Sequence, residues 1–342
     1  MASKAAMLWD EVLEHEEAGE REEALNLCRQ ITRMEPNHAA AWKMTARMVL
    51  PVARRGVQDM PTLAQAASAY AALQSVVRLE PDDTESWALG GILLVDHLGM
   101  LEEALEWWQQ MRAVNPTDVT PLIEQIAILV RLGMYAEASE LLEVMFDPGM
   151  EKPDRRQLAN MDRVRQMVDK AAKMEKEEVF RPQNPKDPRW EIIGRMKGRK
   201  PLSETFFLFT FVAPIVFLIG TVAMQLLGGT QFGFILVFLI ILGLFMGVSR
   251  VGAGLLQSLN RHALDLERAI DVESTSGKVC VPSDIREGKL YNHTIGKRTE
   301  AFRDRHDRIV EAEEVLGQKW KPIIPDFSKS ENWWGEKEES ED

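Results

Sequence analysis

The chain has 342 residues, 45% of them hydrophobic and 27% charged, which supplies one or two packed cores and excludes disorder throughout. Its 41 Lys and Arg stand against 53 Asp and Glu, and a formal net charge of −12 argues against nucleic acid as the partner of the whole surface. Two cysteines, Cys28 and Cys280, are too few and too far apart for a disulfide framework or a cysteine-rich zinc site, and they suit a reducing compartment.

Met1–Gly19 is studded with Lys4, Asp10, Glu11, Glu14, Glu16 and Glu17, so no cleavable signal peptide is expected there. From here to about residue 152 the sequence is self-similar. Ala24, Ala69, Ala104 and Ala138 recur in phase, and five residues before each stands Gly19, Ala64, Gly99 or Gly133. Each unit closes on a proline: Pro36, Pro81, Pro116 and Pro148. Trp42, Trp87 and Leu122 occupy one offset past the first three of these. A period of this length fits two antiparallel helices, with proline ending the second before the next unit begins.

Gly-Glu-Arg-Glu-Glu-Ala-Leu at 19–25 and Gly-Met-Leu-Glu-Glu-Ala-Leu at 99–105 are the clearest repeats of the pattern. The pattern resembles the tetratricopeptide repeat family over roughly residues 5–150. The resemblance implies a helical repeat solenoid whose first helices line a concave groove for a protein or peptide segment. In the family's phase that groove is lined by Trp9, Leu13, Lys43, Arg47, Ala88, Ile92, Ile123 and Ala127. Members that clamp a terminal carboxylate use basic and Asn side chains on successive repeats; here only Lys43 and Arg47 carry charge, so that ligand class does not transfer. The second unit is longer, with the excess assigned to Pro51–Pro61, and the fourth has no Trp or Tyr in its first helix.

From Pro153 to about residue 180, Leu158, Met161, Val164, Val168 and Ala171 recur at three-to-four spacing and predict a capping helix over the last repeat. Residues 181–204, with Pro182, Pro185 and Pro188, read as a stiff basic juxtamembrane linker. The 45 residues Thr205–Ser249 then contain no Asp, Glu, Lys or Arg. One helix of that length would rise roughly 68 Å, twice a bilayer core of about 30 Å. Gly228-Gly229-Thr230-Gln231 supplies the reversal, giving two transmembrane helices near Thr205–Leu227 and Phe232–Ser249. The alternative is a pair of buried core helices. Gly243 and Gly247 have the small-xxx-small spacing for close helix packing, either within the hairpin or between two copies.

Seven Lys and Arg against two acids between Arg181 and Lys200 place both termini in the cytoplasm and suit anionic lipid headgroups. Beyond the spans, residues 250–317 read as a cytoplasmic helical region. Leu255, Leu259, Leu266 and Ile270 trace an amphipathic helix, Lys278–Ile295 holds two short extended runs, and Thr299–Leu316 is a charged helix. Residues 318–342 form an aromatic acidic tail. Its Trp320, Phe327, Trp333 and Trp334 suit docking on the repeat groove beside Lys43 and Arg47, or packing of Trp320 and Phe327 on the C-terminal helices.

Catalytic chemistry finds little footing. The six histidines are dispersed without a zinc-helix spacing, and His262 and Asp265 are one turn apart as a cap or ion pair. Gly252 and Gly254 follow no strand and lack a phosphate loop's Gly-Lys-Ser. Asn292-His293-Thr294 meets a glycosylation pattern but falls in the cytoplasm. The predicted fold is all-α: a tetratricopeptide-like solenoid over 1–152, a two-helix transmembrane hairpin and a small, mostly helical C-terminal region. The predicted role is a membrane-anchored protein-interaction adaptor without catalysis, cofactor or metal. The alternative is an accessory subunit of a larger membrane machine such as a translocase or envelope-assembly complex.

Overall fold

The computed structural model describes residues 3–52, 59–152, 164, 165, 168, 179–230 and 232–327. Among these the secondary structure is helical, with one isolated parallel bridge between Val279 and Val315 and no named strand. The centre of the Pro51–Pro61 insertion, most of the helix expected over Pro153–Val179, and Trp333 and Trp334 with the acidic end lie outside the described residues.

The N-terminal helices are α1 (Lys4–Ala18), α2 (Arg21–Met34), α3 (Ala39–Val49), α4 (Leu63–Leu79), α5 (Thr84–Ile92, continued by a π-helical turn Leu93–Leu98), α6 (Leu101–Val114), α7 (Thr120–Leu132) and α8 (Tyr135–Met145). Each packs against the next in sequence. Recurrent residues recur as recurrent geometry. Ala24, Ala69, Ala104 and Ala138 are all fully buried. Glu35, Glu80 and Asn115, each just before its proline, share one backbone conformation with φ of −127°, −129° and −120°. Trp42 Nε1 donates to Pro36 O and Trp87 Nε1 to Pro81 O, both at 2.8 Å. Gly19, Gly99 and Gly133 end α1, α5 and α7 with φ of 78°, 64° and 79°, a left-handed conformation that glycine adopts without a Cβ penalty.

The π-helical turn has a local cause. Trp87 to Gly99 is one residue longer than Leu122 to Gly133, and Met100 N–H reaches back to Leu94 O, which absorbs the extra residue without shifting α6. Gly90 and Gly91 on α5 lie directly under the indoles of Trp107 and Trp108 on α6; a Cβ at either would fall 2.3 or 2.1 Å from the ring.

Further along lie α9 (Pro188–Met196), α10 (Glu204–Leu227, with a π-helical turn at Leu208–Val212), α11 (Gly233–Leu259), α12 (Arg261–Ser276), α13 (Ser283–Arg286), α14 (Lys289–Ile295) and α15 (Glu300–Glu311). Contacts divide the chain into two units. One comprises Met1–Pro185, Arg268–Val281 and Ile295–Asp342; the other comprises Lys186–Glu267 and Pro282–Thr294.

In the first unit, Val272, Ala301 and Leu316 belong to the same apolar core as the repeat residues Leu98, Leu101, Leu129 and Leu132. The region 250–317 is therefore not one body of its own, because its buried side chains complete a core begun by α4–α8. Arg131 Nε and Nη2 donate to the Asp271 carboxylate at 3.0 and 2.8 Å, and Arg298 joins at 2.8 Å. The expected extended runs after Lys278 are instead α13 and α14, and only Val279 bridges to Val315. Glu273 Oε1 accepts the Cys280 and Val281 N–H groups at 2.6 and 2.7 Å, so that segment needs no strand partner. The charged helix stops at Glu311, short of Leu316, and Glu313 adopts φ 53°. The described part of the tail, residues 318–327, lies along α6 rather than in the groove. Trp320, Ile324 and Phe327 pack on the core, Ile323 N–H donates to Glu102 at 3.0 Å, and Arg112 donates to Phe327 O at 3.3 Å.

In the second unit the stiff linker is replaced in part by α9. Pro188 sits in its first turn, where the missing N–H is harmless, and Asp187 caps Arg189 N at 3.0 Å. Trp190 and Ile193 are consequently buried. Helix α10 is long and apolar enough to cross a membrane; the apolar segment Gly233–Val248 is shorter. The α10 π-helical turn immediately precedes Pro214, whose ring crowds the carbonyl one turn back. Helix α11 does not end at Ser249 but runs on to Leu259, since nothing between Arg250 and Leu259 breaks it. The two helices pack together, closely where Gly220 meets Ile241 and Gly252 meets Phe207. Gly243 and Gly247, the expected packing pair, have no neighbouring atom within 4 Å of an added Cβ. The expected apolar stripe divides as well: Leu255 and Leu259 are exposed, whereas Leu266 and Ile270 are fully buried.

Candidate functional site

Helices α1, α3, α5 and α7 carry the eight residues singled out for the groove, and all eight are exposed or half-buried. Their burial pattern follows from helix periodicity. Val12, Ala46, Trp87 and Ile126 turn inward on the same helices, which leaves Leu13, Arg47, Ala88 and Ala127 on the outer side.

Ionic contacts link the first helices in order. Arg47 on α3 pairs with Glu16 on α1, and Lys43 pairs with Asp83 and Glu85 at the start of α5, both at 2.9 Å. The Trp9 ring packs at a tilt of 47° against His38, the cap of α3, with ring centroids 5.1 Å apart. Arg21 fastens the end of α3 by donating to the carbonyls of Arg47, Met48 and Leu50. On α7, burial pushes the Glu124 carboxyl above the usual range and the nearby Asp96 charge adds to this. Hydrogen bonds that the Lys43 ammonium donates to Asp83 and then to Glu85 hold it above its ordinary value. Burial pushes Asp83 up, but hydrogen bonds from Lys43 and Ser86 outweigh it and leave the carboxyl below the usual range. Both basic groove residues are thus engaged by neighbouring acids. A docking segment would meet exposed Leu13, Ala88, Ile92 and Ala127, half-buried Ile123, and acidic Glu85, Asp96 and Glu124.

A second constellation escaped the sequence reading because His306 lies 32 residues from Ser274 along the chain. Ser274 Oγ is 3.2 Å from His306 Nδ1, and His306 Nε2 is 3.5 Å from Glu273 Oε2. All three residues are 0% exposed, so no substrate reaches the hydroxyl, and Glu273 already accepts two backbone N–H groups. The trio fastens α12 to α15. Asp265 pairs with Arg189 at 3.2 Å, and burial pushes the His262 imidazole below its ordinary value against the opposing pull of the Leu259 backbone and the Asp265 charge. Among the described residues no group of three or more His, Cys, Asp and Glu is arranged to hold a metal ion. Comparison with protein-family models and with curated proteins finds no match to this chain.

Proposed function

We propose that this chain is a membrane-anchored adaptor that presents tetratricopeptide-like repeats to the cytoplasm and recruits a protein or peptide segment on the α1, α3, α5 and α7 face. The observation that carries the anchor is the outward apolar surface of the hairpin. Phe209, Phe217 and Leu226 are 74%, 78% and 76% exposed, and Phe234, Phe238 and Met246 on α11 are exposed as well. Side chains of this kind are stable against acyl chains and not against water. In this reading α10 and the first part of α11 are two spans, Thr230 lies outside, and both termini face the cytoplasm. The recurrent Trp–Pro bonds, left-handed glycines and buried alanines support the repeat assignment, and the exposed first-helix residues support the docking face.

Two measurements test the proposal. A cysteine at Thr230 should react with a membrane-impermeant thiol reagent on intact cells, while Cys280 reacts only after permeabilisation; labelling of Cys280 in intact cells rejects the topology. A photo-crosslinking side chain at Ile92 or Ala127 should give a discrete adduct that is missing when the same group is placed at Gln30 on α2 or Glu140 on α8. Equal adducts from all four positions reject the face.

The second reading, an accessory subunit of a larger membrane complex, is favoured by one feature. Among the described residues no atom of a neighbouring element lies within 4 Å of a Cβ added at Gly243 or Gly247, so their small-residue face is open to another helix. Gly243→Ile with Gly247→Ile should then shrink the assembly in mild detergent, and an unchanged size removes this reading.

A further inference from the structure

The basic stretch ahead of the hairpin separates into two sets once its partners are known. Arg189 is held by Asp265 at 3.2 Å, Lys197 by Asp284 at 2.9 Å and Arg195 by Glu191 at 3.6 Å. Arg199 and Lys200 are exposed and make no ion pair among the described residues, and the same holds for Arg261. Those three cations are brought together by the backbone. Leu202 N–H donates to Asn260 Oδ1 and Asn260 Nδ2 donates to Leu202 O, both at 2.9 Å. This two-bond fastening joins the chain entering α10 to the residue leaving α11. Lys200, two residues before Leu202, and Arg261, one residue after Asn260, are therefore held at one end of the hairpin, with Arg199 beside them.

We propose that Arg199, Lys200 and Arg261 form a binding site for the phosphate headgroup of an anionic membrane phospholipid, resting on the reading above that the hairpin spans a bilayer. The choice of a lipid over a soluble phosphate comes from what surrounds the cations. Phe206 at the start of α10 and Leu255 and Leu259 at the end of α11 are exposed apolar side chains next to the same fastening. A headgroup phosphate can meet the cations while its acyl chains cover those side chains; a free phosphate leaves them in water. The paired cations are already engaged by acids, whereas these three make no ion pair among the described residues and sit at the depth where an anionic surface attracts each Lys or Arg by about fivefold in affinity.

The test uses the full chain reconstituted in bilayers of phosphatidylcholine with a minor fraction of phosphatidylglycerol. The lipids retained after detergent extraction are then measured by native mass spectrometry. The wild-type chain should retain phosphatidylglycerol above its share of the bilayer. Lys200→Gln with Arg261→Gln should lower that preference by at least about tenfold, and adding Arg199→Gln should abolish it. Arg29→Gln with Arg33→Gln removes the same net charge from exposed positions on α2 and should leave the preference unchanged. Equal loss in both double variants overturns the site in favour of bulk charge, and no preference in the wild type overturns it outright. Displacement of the lipid by soluble glycerol phosphate at comparable concentration overturns the lipid source. Extraction of the chain from vesicles by alkaline carbonate is a separate outcome: it removes the membrane-spanning reading itself.

Discussion

Replacing Gly90 with alanine places a methyl group where the structure has an indole. The new Cβ lies 2.3 Å from Trp107 Cζ2, and ordinary contact begins at 3.4 Å, so the ring must retreat by more than 1 Å. It has little room to do so. Trp107 is buried, its Nε1 donates to Trp87 O at 2.8 Å, and its ring lies between Tyr70 and Trp87 with centroids 5.4 and 4.5 Å away. Overpacking of this kind costs about 1–3 kcal/mol. Losing the indole hydrogen bond adds about 1 kcal/mol, while the better helix propensity of alanine returns up to about 1 kcal/mol. The expected net loss is about 1–4 kcal/mol, a Tm lowered by roughly 2–16 °C for a unit of this size. Thermal unfolding of the full chain in detergent, followed by tryptophan fluorescence, measures it. Gly317→Ala, with no atom within 4 Å of the new Cβ, is the control. Trp107→Phe in the Gly90→Ala background should recover at least half of the loss. A Gly90→Ala chain as stable as the control, or a loss that Trp107→Phe does not reduce, refutes the close-approach reasoning.

Asp271→Asn leaves the Arg131 and Arg298 guanidiniums facing a neutral group in a nearly closed site and should lower stability by about 2–4 kcal/mol in urea unfolding; a change below about 0.5 kcal/mol counts against a structural ion-pair node. The Glu124 carboxyl is raised in the folded chain, so it binds its proton more tightly there than when unfolded, and the wild type loses stability as pH rises from the ordinary carboxylate range through the folded value. Glu124→Gln should therefore stabilise the chain at neutral pH, with a gain that shrinks toward pH ~4; a gain independent of pH contradicts this sign. Burial pushes the Cys28 thiol up to about 11, so in the folded chain at pH 8 it should stay unmodified by a thiol reagent until denaturant is added.

The helix order of the first half was legible because its signals are local. Proline can end a helix from sequence alone, and an alanine recurring in phase marks a close approach whatever surrounds it. What decided the rest acts at long range. Arg268 reaches the Val130 and Arg131 carbonyls, and Arg305 reaches Leu98 O and Ser274 O; nothing near either arginine in sequence announces a helix end as its partner. Helix α9 was hidden by its own prolines, which read as linker although Pro188 occupies a helix start. The Gly90–Gly91 pair, the tightest contact between α5 and α6, falls outside the register that drew attention to Gly99 and Gly133. On the candidate face, family phase was enough to select surface residues. Their electrostatic state was not legible, because Glu16 and Asp83, which engage Arg47 and Lys43, lie on neighbouring repeats.

That electrostatic state bears on what the face can receive. Lys43 and Arg47 made an acidic segment, including the end of this chain's own tail, an attractive occupant when only the sequence was in view. With Glu16, Asp83 and Glu85 already on those cations, an incoming carboxylate would have to displace an existing pair, and exchange of one partly exposed ion pair for another gains little. Glu124 stands in the opposite condition, an acid whose burial and whose repulsion by the nearby Asp96 charge are relieved by a cation or by its own proton. The tail's placement agrees with this balance: its described aromatic part lies along α6, with Phe327 carbonyl facing Arg112 and Ile323 N–H facing Glu102. The same unit also draws α12 and α15 against the far ends of α5 and α7, where Phe302 fills the space over Gly99. The ends of α5 and α7 are thus covered by α12 and α15, so their packing is complete only once that later part of the chain is in place. Loop closure over so long a segment costs only slightly more than over a shorter one, because the entropy grows with the logarithm of length. Loss of the Asp271 node or of Phe302 should therefore expose the ends of α5 and α7, the two helices that carry Ala88, Ile92, Ile123 and Ala127.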